Sequence, residues 1–119
     1  MIQIHIRDQQ SAFRPGETLA GETSWQFHQP PASVEVRLFW FTRGRGTEDV
    51  ELIQSVSSEA PRQQDQRSFQ FTLPDSPYSF SGKLISLIWA IEAVTKPGND
   101  SARIEFIVSP TLAEILLQP

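Results

Sequence analysis

The sequence predicts an all-β domain folded as an antiparallel β-sandwich. Apolar residues recur with a period of two, turn residues separate the apolar runs, and no segment has a convincing amphipathic helical pattern. The 119 residues fall within the size range of one domain and suffice to bury a core without disulfides. We therefore expect one sandwich domain in residues 1–109, followed by an apolar C-terminal tail in residues 110–119.

The first two predicted strands lie near the N-terminus. Ile2, Ile4 and Ile6 alternate with polar residues and predict the first strand. A second strand runs from Leu19 to Phe27, with small and large residues alternating along one face. Pro30 and Pro31 end it, because proline has no N–H to donate to a neighbouring strand.

Residues 33–43 form the strongest predicted strand. Its two faces carry different sets, with Val34, Val36, Leu38 and Trp40 on one and Glu35, Arg37, Phe39 and Phe41 on the other. Gly44 and Gly46 supply a permissive backbone for a hairpin. The return strand is expected at about residues 48–57, with Val50, Leu52 and Val56 on one face.

The second half of the chain also consists of predicted strands separated by loops and turns. Residues 59–67 are polar and predict a mobile loop, after which Phe69, Phe71 and Leu73 alternate in a strand that Pro74 ends. Residues 84–94 are apolar on both faces, which predicts a central strand or one with a face under a partner. A turn cluster at residues 97–100 precedes the last strand, which contains Ala102, Ile104, Phe106 and Val108.

About seven short strands with alternating faces predict two stacked sheets, an immunoglobulin-like sandwich. Each of the three tryptophans lies in register with the apolar face of its own strand, so we expect them in the core. The chain has no cysteine, which excludes disulfides, thiolate metal sites and an antibody-type domain. A cysteine-free chain suits a reducing compartment, and we expect a cytoplasmic location.

Two stretches of the sequence resemble the arrestin-like family. Residues 13–21, FRPGETLAG, are similar to the aromatic-x-Pro-Gly-Glu-x-hydrophobic-x-Gly segment that leads from the first strand to the second in arrestin-type domains. Residues 73–93 are similar to that family's proline-serine-aromatic-x-Gly loop and the I-x-W-x-I/L-x-A strand after it. With the strand and hairpin of residues 36–49 between them, the resemblance covers roughly residues 2–109.

The resemblance implies a scaffold or adaptor and not an enzyme. It extends to retromer-type subunits and to bacterial sporulation-control proteins. Animal arrestins carry two such domains, whereas this chain has room for one. No residue here matches their phosphate sensors or their interdomain polar core, so the resemblance does not imply receptor desensitisation.

Charge and hydropathy exclude several other classes. The net charge is −4 and is spread without blocks, whereas proteins that grip nucleic acid through phosphates carry a basic face. No segment approaches the roughly 20 apolar residues that span a bilayer. The N-terminus, MIQIHI, has the pattern of a strand and not of a signal peptide. We expect neither nucleic-acid binding nor membrane insertion.

The sequence predicts no catalytic, cofactor or metal site. His5 and His28 lie in predicted strands with no ligand-type spacing between them. The chain has no Gly-x-Ser-x-Gly elbow and no glycine-rich phosphate loop. Paired carboxylates such as Glu48 and Asp49 are best interpreted as solvated charge at the end of a hairpin.

Residues 43–46 have the sequence Arg-Gly-Arg-Gly, and segments of arginine and glycine can contact phosphates or RNA in other proteins. Here they stand beside Glu48 and Asp49, and we interpret them as a hairpin turn with local charge balance. Arg43 and Arg45 are kept as candidate interaction residues at this turn.

Two further surfaces are candidates for protein binding. Phe39 and Phe41 lie opposite the apolar face of their strand, so they either form an exposed aromatic pair rimmed by charge or pack under a neighbouring loop. In the tail, Leu112, Ile115 and Leu116 have helical spacing but belong to a segment too short to hold a helix alone. The tail either folds back on the sandwich or docks on another subunit.

The sequence thus predicts a non-catalytic protein-protein interaction domain whose partner and process it does not identify. Homo-oligomerisation through the tail or the Phe39 and Phe41 face is one form of this hypothesis. Two alternatives stay open: a carbohydrate-binding module with an exposed tryptophan platform, and a structural subunit of a larger assembly.

Overall fold

The computed structural model describes residues 1–46, 48–97 and 100–117. Within these residues it has seven strands of five or more residues, three two-residue strands and one 3-10 turn at Arg7–Gln9. The strands are β1 (Ile2–Ile6), β2 (Ala12–Phe13), β3 (Thr18–Gln26), β4 (Ser33–Gly44), β5 (Val50–Ser58), β6 (Gln64–Thr72), β7 (Phe80–Ser81), β8 (Ile85–Lys96), β9 (Ser101–Val108) and β10 (Ile115–Leu116). The prediction of about seven strands is confirmed.

The strands form two sheets. The small sheet has the order β1-β3-β6 and is antiparallel throughout. In the large sheet the long central strand β8 pairs with β4 on one side, and on its other side with β9 and the short β7. β5 continues the sheet beyond β4, while β10 and β2 add short parallel pairs to β7 and β9. The central position predicted for residues 84–94 is confirmed.

The hydrophobic core lies between the two sheets and draws on the alternating apolar residues of both. Trp25 of β3 and Trp89 of β8 are buried in it, with exposed fractions of 3% and 0%. Trp40 is only partly buried and packs against the core from β4. The fold is an immunoglobulin-like antiparallel β-sandwich, as the alternation predicts.

The predicted loop at residues 59–67 is wrong over its second half, because β6 begins at Gln64. Residues 64–67 pair with β3, with Asp65 opposite Trp25 and Arg67 opposite Thr23. The pairing joins backbone groups, which need no apolar side chain, so a polar segment can form an edge strand. The predicted turn at residues 97–100 includes Gly98 and Asn99, which lie outside the described residues.

The Pro-Gly-Glu segment forms a tight turn before β3. Gly16 has a φ of +80°, and the Glu17 carboxylate accepts hydrogen bonds from the Arg14 N–H at 2.9 Å and the Gln10 amide at 2.8 Å. These bonds, the first above all, hold the pKa of Glu17 below its usual value. Glu17 O also accepts the Leu73 N–H at 2.9 Å, which fixes the turn against the end of β6.

Gly21 allows β1 to approach β3 closely. A Cβ at this position would lie 2.1 Å from the carbonyl oxygen of His5 and 2.7 Å from the Phe69 ring. Both distances are too short for any side chain, so the two strands meet only because residue 21 is glycine.

The second of the two stretches that resemble the arrestin-like family, residues 73–93, contains the loop before β8 and the contacts that anchor it. The Trp89 indole N–H donates to Pro77 O at 2.9 Å, and the buried Ser79 Oγ accepts the Val108 N–H at 2.9 Å. The motif residues therefore tie residues 77–79 to the two central strands β8 and β9.

Candidate functional site

The strand period places Phe39 and Phe41 on the outer face of the large sheet, away from the small sheet. Val34, Val36 and Leu38 alternate with them along β4 and are buried in the core. Phe39 and Phe41 belong to the opposite set, and Phe39 lies outside the core cluster although only 6% of it is exposed.

Arginines cover the two rings. The ring centroids of Phe39 and Phe41 are 6.0 Å apart, and Arg103 Cζ of β9 lies 5.1 Å from the first centroid and 5.4 Å from the second. Arg43 Cζ lies 5.4 Å from the Phe41 centroid. These are cation–π distances, each contributing roughly 0.5–1 kcal/mol at an exposed site. The two expectations for the pair were exposure or cover by a loop; the structure instead covers Phe39 with an arginine from another strand.

Carboxylates on the same face hold the arginines in place. Arg103 pairs with Glu92 of β8 at 3.3 Å, and Arg43 pairs with Glu105 of β9 at 3.0 Å. Arg37 pairs with Glu35 one pleat away along β4. The expected charge balance of Arg43 with Glu48 and Asp49 is therefore wrong, because the side chain reaches across β8 instead. Partly exposed pairs of this kind add little stability, and their main effect is to orient the guanidinium groups.

Apolar side chains of β5 continue the aromatic surface. Leu52 lies opposite Phe39 and Val50 lies opposite Phe41, with exposed fractions of 55% and 69%. We call these four residues the outer patch. They line a concavity of about 540 Å³ on the outer face, to which Glu48, Glu92 and Arg103 also contribute. The concavity combines an apolar floor with a charged rim.

A β-bulge in β5 corrects the prediction that Val50, Leu52 and Val56 share one face. The pairing moves from Leu52 opposite Phe39 to Gln54 opposite Leu38, so Ile53 is an extra residue on β5. The insertion reverses the phase of the strand, and Val56 lies opposite the core residue Val36. The outer face of β5 therefore carries Val50 and Leu52 before the bulge and Ser55 and Ser57 after it.

Arg45 lies at the tip of the hairpin, exposed, and its side chain is not part of the concavity. Its backbone N–H donates to Leu84 O at 3.0 Å. A Cβ on the preceding Gly44 would lie 2.1 Å from the same oxygen, so the glycine permits this contact. The predicted hairpin is present, and Arg45 positions its tip against the start of β8.

The tail lies at the opposite edge of the large sheet. Ile115 and Leu116 form β10, which pairs in parallel with β7, and Ile115 N–H donates to Ser79 O at 3.2 Å. The helical spacing of Leu112, Ile115 and Leu116 does not produce a helix, because the segment pairs with a strand and Leu112 has a φ of +62°. Leu112 is half-buried, whereas Ile115 and Leu116 are 39% and 71% exposed. The tail residues therefore do not join the outer patch.

The tryptophans do not form a platform. Trp25 and Trp89 are buried, and their indole N–H groups donate to the backbone oxygens of Arg62 at 2.7 Å and Pro77 at 2.9 Å. The expectation of core tryptophans is confirmed for both. A carbohydrate platform of the three residues is therefore inconsistent with the fold.

Two residues of the site, Arg103 and Glu92, were not predicted from the sequence. Each has a sequence feature by which it could have been found. Glu92 is the one charged residue in the apolar stretch of residues 84–94, and Arg103 stands between Ala102 and Ile104 on the polar face of the last strand. A lone charge on a central strand indicates a partner on the same face, which here is the Arg103 side chain over Phe39.

Other chemistry is not evident in the described part of the chain. Residues 1–46, 48–97 and 100–117 contain no group of three or more His, Asp or Glu side chains arranged to hold a metal ion. Among the same residues, no helix has the length and apolar character to cross a membrane. His5 lies on β1 and His28 just after β3, at positions that do not bring them to the outer patch.

Comparisons with known proteins identify the fold. No family model matches the sequence, and no curated protein matches it. Among solved structures, the chain is similar to the sporulation control protein Spo0M from Bacillus subtilis, with a TM-score of 0.62 and 18% identity over 91% of this chain and 48% of Spo0M. The chain thus spans about half the length of that protein. The likeness supports an arrestin-like, immunoglobulin-like sandwich.

Two other solved structures match at lower TM-scores. One is the CARDB domain of the PF1109 protein from Pyrococcus furiosus in complex with di-metal ions, with a TM-score of 0.47 and 12% identity over 91% of this chain and 85% of that one. The other is the Pseudomonas fluorescens alkylpurine DNA glycosylase AlkC bound to DNA with an abasic site analog, with a TM-score of 0.41 and 15% identity over 91% and 30%.

Proposed function

We propose that this chain is a non-catalytic protein-binding domain, a scaffold or adaptor, and that the outer patch is its binding surface. The observation that carries the proposal is the exposure of Val50 and Leu52 directly beside the Phe39 and Phe41 rings. Val50 and Leu52 are exposed outside the core beside the two rings, which Arg103 and Arg43 cover, and a partner that covers Val50 and Leu52 removes apolar area from water.

The composition of the surface favours a protein partner. Aromatic residues and arginine are enriched in the centres of protein interfaces, and here Arg103 and Arg43 lie directly on aromatic rings. Covering the exposed parts of Val50 and Leu52 contributes on the order of 1–3 kcal/mol for each side chain. The ion pairs around them, such as Arg103 with Glu92, form a polar rim.

The fold supports the same class of function. The structure that it resembles, Spo0M, is a sporulation control protein, and a regulatory role for this chain is consistent with a sandwich that presents an apolar face. The proposal includes a cytoplasmic site of action, for which the support is a chain without cysteine.

The test compares variants at the two edges of the large sheet. The tagged chain is used to purify partners from the native cell, and the double variant Val50→Asp/Leu52→Asp is compared with Leu116→Asp as the matched control. Leu116 is as exposed as Val50 but lies on β10, at the opposite edge. We expect the Val50→Asp/Leu52→Asp variant to lose at least about 90% of the captured partner, because two buried carboxylates without partners oppose binding.

Two further measurements complete the experiment. Circular dichroism and thermal unfolding establish that both variants fold, which is expected because the mutated side chains are exposed. Loss of the partner with Leu116→Asp and retention with Val50→Asp/Leu52→Asp would place the interface on the tail and contradict the proposal.

A further inference from the structure

We propose that β5 binds its partner by strand addition, and that the partner is an extended segment in which apolar residues alternate with lysine or arginine. The inference rests on the proposed function and adds to it the geometry and the chemical class of the bound segment.

The backbone of β5 is open on one side. Among the described residues β5 pairs with β4 alone, and it ends the large sheet. At its start, Thr42 N–H donates to Asp49 O at 2.9 Å and Asp49 N–H donates to Thr42 Oγ1 at 2.8 Å, so the backbone groups of residue 49 point towards β4. Because these directions alternate along a strand, the N–H and C=O of Val50 and Leu52 point to the open edge.

The residues of β5 whose backbone groups point to the open edge are also the residues whose side chains lie on the outer face. Val50 and Leu52, whose backbone groups point to the open edge, also place their side chains on the outer face beside Phe41 and Phe39. In an antiparallel addition the partner residues directly opposite them would place their side chains on the same face. The surface there is apolar, so every second residue of the bound segment should be apolar.

The charge around β5 indicates which residues of the bound segment should stand between its apolar ones. Residues 46–61 carry four carboxylates, Glu48, Asp49, Glu51 and Glu59, and contain no lysine or arginine. The arginines that β4 places on the outer face are engaged elsewhere, Arg37 with Glu35 and Arg43 with Glu105. A segment with basic residues between its apolar ones therefore matches this edge.

The same charge disfavours a second copy of this chain. Pairing β5 with β5 of another molecule would bring together four carboxylates from each copy, with no basic residue between residues 46 and 61 to offset them. Like charges facing one another across a strand pair are destabilising. The carboxylates thus protect an exposed edge from self-association while leaving it open to a basic partner.

The opposite edge shows that this sheet accepts a short apolar strand. There Ile115 and Leu116 pair with Phe80 and Ser81, and Leu117 N–H donates to Ser81 O at 2.9 Å. The two edges differ in that the chain supplies its own strand at β7 and leaves β5 without one.

The experiment uses a fluorescein-labelled peptide, Lys-Val-Lys-Leu-Lys-Val-Lys, and the full-length chain, with binding measured by fluorescence anisotropy. The first control peptide carries glutamate in place of each lysine. We expect the lysine peptide to bind at least about tenfold more tightly at low salt, and the difference to shrink at high salt. The double variant Glu48→Gln/Glu51→Gln should weaken binding of the lysine peptide by about fivefold.

Two N-methylated peptides test strand addition itself. N-methyl groups on the valines and leucine remove the N–H groups that face β5 in the antiparallel arrangement, whereas those on the central lysines remove N–H groups that face solvent. We expect the first peptide to lose binding and the second to retain it. Equal binding of the lysine and glutamate peptides, equal effects of the two methylation patterns, or no binding of any peptide would each overturn the inference.

These outcomes are distinct from failure of the proposed function. If no peptide binds but Val50→Asp/Leu52→Asp still abolishes capture of a native partner, the outer patch is the binding surface and strand addition is wrong. If the lysine peptide binds through its backbone and the same variant retains the native partner, β5 accepts strands but the proposed interface lies elsewhere.

Discussion

The two edges of the large sheet differ in how they end. At one edge β10 of the tail pairs with β7, and β2 pairs with β9, so short parallel strands cover the backbone. At the other edge β5 pairs with β4 alone among the described residues, and Val50 and Leu52 are mostly exposed. An open edge is a risk of aggregation unless something limits what it pairs with. Here the carboxylates around β5 provide that limit, which is why we place the binding surface at this edge.

The largest expected effect is on the free energy of unfolding, compared between the centre of the large sheet and its open edge. Trp89, at the centre of the sheet, is completely buried and donates to Pro77 O, so Trp89→Ala should lower the free energy of unfolding by about 3–5 kcal/mol. Val50→Ala on the open edge should change it by less than about 0.5 kcal/mol, because the side chain is 69% exposed. Urea unfolding at neutral pH measures both. A large loss of stability for Val50→Ala would mean that the edge residue is structural.

The sequence carries enough information for most of this fold. Alternation in β1, β3, β4 and β9 predicts their positions to within about two residues, because each has one face in the core and therefore an apolar period of two. The position of β8 is predicted as closely, but from a run that is apolar on both faces. β6 was missed in part because residues 64–67 are polar and join β3 through backbone pairing and a side-chain hydrogen bond from Gln66 to Glu22, with no apolar residue among them. No periodicity of side chains can report a polar edge strand of that kind.

The candidate site was predictable only in part. Phe39 and Phe41 were placed on the outer face by the period of β4. Their cover by Arg103 depends on the pairing of β8 with β9, which brings together residues distant in sequence. The bulge at Ile53, which separates Val56 from Val50 and Leu52, is a departure from regular pairing that a strict period of two conceals.

A smaller effect is expected from removing the cover of the closed edge. Deleting residues 111–119 removes the hydrogen bonds from Ile115 N–H to Ser79 O and from Leu117 N–H to Ser81 O. We expect a loss of about 1–3 kcal/mol in the free energy of unfolding, with binding at the outer patch unchanged. Light scattering of the full and truncated chains provides the control. A full chain that is an oligomer and a truncated chain that is a monomer would show that the tail mediates self-association.

The smallest effect concerns pH and a region distant from both edges. The pKa of Glu17 is lowered by the Arg14 N–H and the Gln10 amide, so its ionised form is favoured by folding. Its contribution to stability is present above the unfolded pKa, about 4.5, and is lost as the pH falls through the lower folded pKa.

Glu17→Gln should therefore lower the stability at neutral pH and flatten its decline in acid, whereas Glu59→Gln, at an exposed position, should leave that decline as it is. Urea unfolding at a series of pH values above and below 4.5 measures the two profiles. Parallel profiles for the wild type and Glu17→Gln would show that the turn does not depend on the charge.

Amide hydrogen exchange at Val50 and Leu52, followed by NMR with and without the Lys-Val-Lys-Leu-Lys-Val-Lys peptide, tests the central claim most directly. The free chain should exchange these two amides rapidly, because their N–H groups point to the open edge, and the bound peptide should slow them by at least about tenfold. Protection of both amides in the free chain, or no change on binding while other amides become protected, would contradict the assignment of β5 as the binding edge.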